Sequence, residues 1–197
     1  MIELTPALLE GHGVRLEPMS SDHVDGLRAA AADGELWRLF FTFVPKPEET
    51  PRYVQEALEG HAAGHMLPWV VVDPGSRQII GTSRYHDVVS AVDRVEIGYT
   101  WYRPAWHRTH VNTACKLLLL EYAFDQLGCG VVGLRTDALN LRSQRAIEGI
   151  GAKKDGVLRH HALRRDGSVR DDVMYSILST EWHGVRRHLE TRLWRHG

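Results

Sequence analysis

The chain has 197 residues, 43% of them apolar and 25% charged. That length suits one domain burying roughly 70% of the surface its unfolded chain exposes, and the composition excludes collagen, a long disordered tail and a disulfide-stapled miniprotein. With 24 Lys and Arg against 25 Asp and Glu the net charge is −1, so no global grip on nucleic acid is expected and any anion site must be local.

The start, Met1 to Leu4, lacks a basic stretch followed by an apolar run, and no apolar stretch approaches a membrane span. A soluble cytoplasmic protein is the expectation. Residues 14–19 alternate and read as an edge strand stopped by Pro18. Ser20 or Ser21 then caps a helix through Ala32. Segment 33–47 is rich in aromatics (Trp37, Phe40, Phe41, Phe43) and ends in Pro45-Lys46-Pro47. Thr50-Pro51 starts a helix that runs to about Ala62, with a hydroxyl cap followed by a proline whose missing N–H costs nothing there.

Segments 67–73 and 78–86 form a hairpin about Pro74-Gly75-Ser76. Segment 94–102 alternates and reads as a central strand, with Gly98 at a bulge. A polar loop, 103–112, leads into a Leu-rich helix over 112–127 that Gly128 stops. Segment 130–137 is a strand. Asn140 starts a helix ending at Gly149 or Gly151. Segments 156–164 and 169–178 pair across Arg165-Asp166-Gly167-Ser168, and a last helix starts near Thr180 with Trp182, Val185, Leu189 and Leu193 at helical spacing. No linker, repeat or low-complexity tract divides residues 1–197, so one domain is expected. Hairpins mixed with helical crossovers predict an α+β fold with a mixed sheet. Cys115 and Cys129 are too few for a disulfide framework and read as buried thiols.

The most informative segment is 94–127. A strand that runs through a short polar loop into an apolar helix presents unpaired N–H groups backed by the helix dipole, apt for a phosphate or pyrophosphate. The loop His107-Arg108-Thr109-His110-Val111-Asn112 adds a cation, a hydroxyl and two imidazoles. An ordinary strand-to-helix connection has the same local pattern. His107 and His110 have no third ligand nearby in sequence, so no metal site is assigned. The neighbours His160 and His161 are expected on opposite strand faces. No Ser-His-Asp, Cys-His or P-loop Lys pattern appears.

Val95-Glu96-Ile97-Gly98-Tyr99-Thr100-Trp101, then Pro104, then His107 to Asn112 and the Leu-rich helix resemble the acetyl-CoA signature of the GNAT N-acetyltransferase superfamily. Thr136 to Ile147 resembles its second motif. Arg164 to Leu193, with Asp166-Gly167-Ser168 and Asp171-Asp172, resembles the ribosomal-protein N-acetyltransferase branch. The resemblance runs from Val14 to Leu193. It implies a mostly antiparallel sheet of about seven strands flanked by helices, and direct acetyl transfer from acetyl-CoA to a primary amine, either a protein N-terminus or a small molecule. Family members are often dimers, so a homodimer is expected. The family's loop has small residues where this chain has His110 and Asn112. That departure motivates the alternative of a non-catalytic acyl-CoA sensor or interaction module.

Carried onto this sequence, the resemblance places backbone groups of Thr100 and Tyr102 along the pantetheine, and His107, Arg108, Thr109, His110, Val111 and Asn112 about the pyrophosphate. Asn140 starts the second helix beside the cofactor. Arg142 and Arg145 either meet the nucleotide phosphates or form a solvated face. Glu96 is the candidate base, or else an ion-pair partner of Arg84 or Arg94. Ser143, where other branches have tyrosine, either hydrogen-bonds the leaving thiolate or satisfies a backbone N–H. Trp37, Phe40, Phe41, Arg84, Tyr85 and His86 line the acceptor pocket or belong to the core.

Overall fold

The structure, a computed structural model, describes residues 2–195. Eight strands form one sheet: β1 Leu9–Gly11, β2 Val14–Pro18, β3 Leu67–Val72, β4 Ile79–Val89, β5 Arg94–Tyr102, β6 Val131–Asp137, β7 Lys153–Leu163 and β8 Val169–Leu178. Their order across the sheet is β1-β2-β3-β4-β5-β6-β8-β7, antiparallel everywhere except between β5 and β6. Five helices flank it: α1 Val24–Ala32, α2 Thr50–Ala62, α3 Val111–Glu121, α4 Leu141–Gly149 and α5 Trp182–Trp194. The mixed α+β architecture is the expected one, with eight strands for about seven. None of the described helices is long and apolar enough to cross a membrane.

Three local expectations are corrected. β2 is not an edge, because β1 pairs along its outer side. β1 is only three residues long, too short to show an alternation. The hydroxyl of Thr50 does not cap α2; it lies inside the first turn and donates to the Lys46 carbonyl (3.3 Å), while the Glu49 carboxylate accepts from Lys46 N (3.1 Å). α3 continues after Glu121 as one π turn, Tyr122–Gln126, before Gly128 turns away with φ of 67°.

The sheet separates two apolar layers. α1 and α2 cover one face through Leu27, Ala30, Ala31, Val54 and Ala57, which pack on Val70, Val72 and Trp101. α3 and α5 cover the other, over Leu16, Trp69, Tyr85, Val95, Ile97 and Leu134. β3, Leu-Pro-Trp-Val-Val-Val, is buried on both faces, which is why it reads as a continuous apolar run rather than an alternation. Leu117, Leu119 and Leu120 of α3 are fully buried, each contributing about 1.5–3 kcal/mol. On α5, Trp182, Val185 and Leu189 are buried, and Trp182 stacks on Phe124 at 5.4 Å.

Candidate active site

β5 and β6 pair over only three residues, Arg94–Glu96 against Val131–Gly133. Beyond Glu96 they part. β6 keeps pairing with β8 as far as Asp137, and β5 keeps pairing with β4, so a wedge opens within the sheet. One edge of β5 over 97–102 then lacks a strand partner, and its main-chain groups need another. A bulge sits here: the register shifts between Thr82 and Arg84, and Tyr99 takes the left-handed region with φ of 53°. The bulge lies one residue beyond Gly98. Gly98 has its own reason to lack a side chain, since a Cβ there would meet His86 Nε2 at 2.2 Å.

The mouth of the wedge is the 107–112 loop. The first helical bond of α3 runs from Ala114 N to His110 O (2.9 Å), so the N–H groups of Asn112 and Thr113 precede the ladder. Thr109 Oγ1 donates to Trp106 O (2.8 Å) and accepts from Val111 N (3.3 Å), which fixes the loop. Arg108 is left-handed, with φ of 61°. The ring of His110 turns back over Gly13, whose Cβ would lie 3.1 Å from His110 Nε2. The bulkier residue at this family position is therefore accommodated beside the β1–β2 turn. His107 Nε2 donates to the Tyr102 carbonyl (2.8 Å), so its Nδ1 is the acceptor facing Arg142 Nη1 at 3.4 Å. Burial lowers the His107 pKa, against the Tyr102 carbonyl, and Arg142 and Arg108 lower it further. His107 is a neutral strut here, and Arg108 and Arg142 carry the charge.

α4 forms the far side. Asn140 caps it as expected, its Oδ1 accepting from Ser143 N (3.1 Å). The Ser143 backbone is thus satisfied by Asn140, and its hydroxyl is half-buried one turn in. Arg142 is brought to the loop; Arg145 is exposed and is not.

Pleat alternation sends Arg84, His86 and Glu96 to the α1–α2 face. Glu96 is 2% exposed and opposite His86 in the β4–β5 ladder. Its Oε1 accepts from Arg94, and Arg135 Nε lies 3.4 Å from Oε2, which has no hydrogen-bond partner. The ion pair expected with Arg84 or Arg94 is with Arg94, and Arg135 joins it. Arg84 instead lies between the Tyr53 and Tyr99 rings, 4.1 and 4.6 Å from their centres, and donates to the Tyr53 carbonyl (3.3 Å). Tyr85 does not reach this site. It points to the other face, fully buried against Trp69 and Tyr122, with its hydroxyl on the Leu119 carbonyl.

His86, Asp87 and Glu96 offer three ligand atoms within 4.8 Å of one another. Arg135 pairs with both carboxylates and Arg94 with Glu96, so their charge is already compensated and an added cation would meet two guanidiniums. The cluster is an ion-pair network.

Segment 33–46 walls the same face. Arg165 donates to the carbonyls of Trp37 (3.0 Å) and Val44 (2.6 Å), and Arg164 and Arg170 lie over Phe40 and Phe43 at 5.7 and 5.1 Å. The aromatics are therefore tied to the β7–β8 hairpin. Simple alternation fails at His160 and His161: a bulge sets three residues of β7 against Asp171, and His161 Nδ1 meets Asp172 at 2.8 Å.

Two features were not anticipated. Arg135 reaches Glu96 only through the parallel β5–β6 pairing. Lys116 lies within the Leu-rich run of α3, yet it is 5% exposed and its Nζ donates to Thr100 Oγ1 (2.9 Å) on the bulged strand.

Residues 14–153 match the family model described as an acetyltransferase (GNAT) domain. The chain belongs to this family. A GCN5-related N-acetyltransferase of Brucella melitensis superposes with a TM-score of 0.87 at 26% identity, over 97% of this chain and 87% of that one. YdaF of Bacillus subtilis, whose name assigns it provisionally to ribosomal N-acetylation, is 30% identical over 108 residues, 55% of this chain. The chain spans 62% and 58% of the length of the curated relatives it matches. Mycobacterium smegmatis RimJ, solved with CoA-disulfide, shares the fold: TM-score 0.81 at 17% identity, over 98% and 97% of the two chains.

Proposed function

We propose that this chain is a single acetyl-CoA-dependent N-acetyltransferase domain that passes the acetyl group directly to a primary amine, on a protein N-terminus or a small molecule. The observation that supports this most is the parting of β5 from β6 with the start of α3 at its mouth. An unpaired strand edge fits an amide-bearing arm, and unpaired N–H groups at a helix start fit a pyrophosphate. When bound there, acetyl-CoA supplies an activated acyl group as its thioester.

In this reading the Thr100 and Tyr102 main chain holds the arm by strand-like pairing. Thr109, His110 and Asn112 offer backbone donors, the Val111 N–H being held by Thr109 Oγ1, and Arg108 and Arg142 offer charge to the phosphates, while Arg145 stays on the exposed face of α4. Asn140 sets the start of α4, and the Ser143 hydroxyl donates toward the sulfur. Glu96 Oε2, buried, 3.4 Å from Arg135 Nε and without a hydrogen-bond partner among the described residues, takes the proton of the incoming amine directly or through one water. Trp37 and Arg84 stand on the acceptor side, whereas Tyr85 belongs to the core. The ring of His110 is seated beside Gly13, outside the turn of the loop, which favours this reading over a sensor that has lost the cofactor.

Thr109→Pro removes one N–H and the hydroxyl that braces the loop. Calorimetry should show CoA affinity falling about 10–100-fold, the loss of a charge-assisted hydrogen bond. Unchanged affinity would move the pyrophosphate elsewhere.

We also propose weak self-association through β7. The apolar stripe of α5 is spent within the chain, while β7 is the outer strand with Val157, Leu158 and Leu163 exposed. Sedimentation that stays monomeric at high concentration removes this claim.

A further inference from the structure

α3 carries a lysine in its buried stripe. Lys116 sits among Cys115, Leu117, Leu118, Leu119 and Leu120, and all of them are buried. Its Nζ has three N–H bonds to place. One goes to Thr100 Oγ1 at 2.9 Å, and no carboxylate pairs with it among the described residues. The titratable group facing it is the Cys115 thiol on its own helix, which in turn lies against the Tyr102 phenol on β5. Burial keeps both protonated, the thiol at about 12, so neither supplies a negative charge. Thr100 Oγ1 also meets Ser83 Oγ at 2.8 Å, an uncharged neighbour. An uncompensated ammonium in an apolar layer is costly, and methionine of similar length would fill the same space without that cost. The position of the charge is what needs explaining. It lies against Thr100, directly after the bulge, on the strand edge that β6 leaves open.

Resting on the reading that the thioester arm lies along this edge, we propose that Lys116 is the acid of the reaction, delivering its proton through the Thr100 hydroxyl to the departing CoA sulfur. The amine nitrogen forms its bond to the acetyl carbon. The carbon–sulfur bond breaks and its electron pair goes to sulfur. The Thr100 O–H passes its proton to sulfur as Thr100 Oγ1 takes one from Lys116 Nζ. Lys116 is left neutral and regains a proton from the one the amine gives up, by way of Glu96 or solvent. Nothing is oxidised or reduced. Burial lowers the Lys116 pKa to about 8, within reach of an ordinary thiol, so transfer to the sulfur is close to balanced. A serine hydroxyl such as that of Ser143 is a far weaker acid and is left with a hydrogen-bonding role.

Lys116→Met separates this role from a structural one because the two readouts should move in opposite directions. The folded pKa lies below the ordinary lysine value of 10.5, so between about 8 and 10.5 the unfolded chain binds more protons and wild-type stability rises with pH. Below that window the penalty is fully present, and the variant escapes it. At pH 7 the variant should therefore melt higher, by about 3–8 °C, and lose the rise in melting point above pH 8. Its kcat should fall about 10²-fold or more with KM for acetyl-CoA little changed, and the decline of kcat above pH 8 in the wild type should disappear. Thr100→Val, which removes the relay along with the acceptor of the Lys116 N–H and the contact with Ser83, should show the same loss of kcat. Wild-type turnover is measured first. Without it, the broader reading fails and this one with it. If the wild type turns over, a variant of equal kcat overturns the Lys116 assignment alone. A lower melting point with activity reduced equally at every pH would also overturn it and make Lys116 a packing residue.

Discussion

Glu96→Gln should lower the rate constant about 10²–10⁴-fold while acetyl-CoA affinity stays nearly unchanged. The substitution keeps the shape of the side chain and removes its ability to take a proton. The loss should be greatest near neutral pH, where the amine arrives protonated, and should shrink as pH approaches the amine's own pKa. Melting temperature does not decide the role of Glu96. Arg94 and Arg135 both lean on this buried carboxylate, so neutralising it leaves two guanidiniums short of a partner and costs stability whatever Glu96 does in catalysis. The pH–rate profile does decide it. A ratio of variant to wild-type activity that is flat from neutral to alkaline pH would place Glu96 in the scaffold, as the anion that holds β5 to β6.

Trp69→Ala should be the most damaging single truncation of the core. Trp69 is 0% exposed, meets Tyr85 and Tyr122 edge-on at 5.0 and 6.2 Å, and donates from its indole to the Ala7 carbonyl at 2.8 Å. Removing it opens a cavity between β3 and α3 and orphans the Ala7 carbonyl. The expected cost is about 3–5 kcal/mol, read as a shift of the denaturant midpoint at constant slope. That is a large part of the stability of an ordinary domain. A midpoint within error of wild type would mean that β3 does not anchor the layer beneath α3.

How far the chain could be read from its residues differs between strands and contacts. Segment 94–102 alternates along the sequence, and the strand occupies those residues, with its pairing interrupted at Tyr99. Thr50-Pro51 and Ala62 bound α2 as read, because proline and the end of the apolar spacing are local signals. Asn140 caps α4 for the same reason. Contacts made across the sheet were less legible. Arg84 and Tyr85 cannot both face one pocket, since a pleated strand sends neighbours to opposite faces; Arg84 meets Tyr53 and Tyr99 while Tyr85 enters the core. The partner of Glu96 that comes from β6, Arg135, depends on a parallel pairing between segments 35 or more residues apart, which no local pattern encodes. Lys116 is a single charge inside a wide leucine stripe, a pattern that does not by itself separate a buried lysine from a solvated one, and only the packing of α3 on β5 turns it inward. The bulges at Tyr99 and His160 each shift the alternation by breaking the register; Gly98 announces the first to within one residue, and no glycine stands beside the second.

Amine-dependent release of free thiol from acetyl-CoA, followed across a panel of N-terminal peptides, amino acid derivatives and polyamines, tests the central claim most directly. The account predicts saturable thiol release with at least one primary amine, matched by an acetylated amine product and by no acetyl group left on the protein. CoA binding that stays undetectable at millimolar ligand, with no thiol released for any amine, would contradict it.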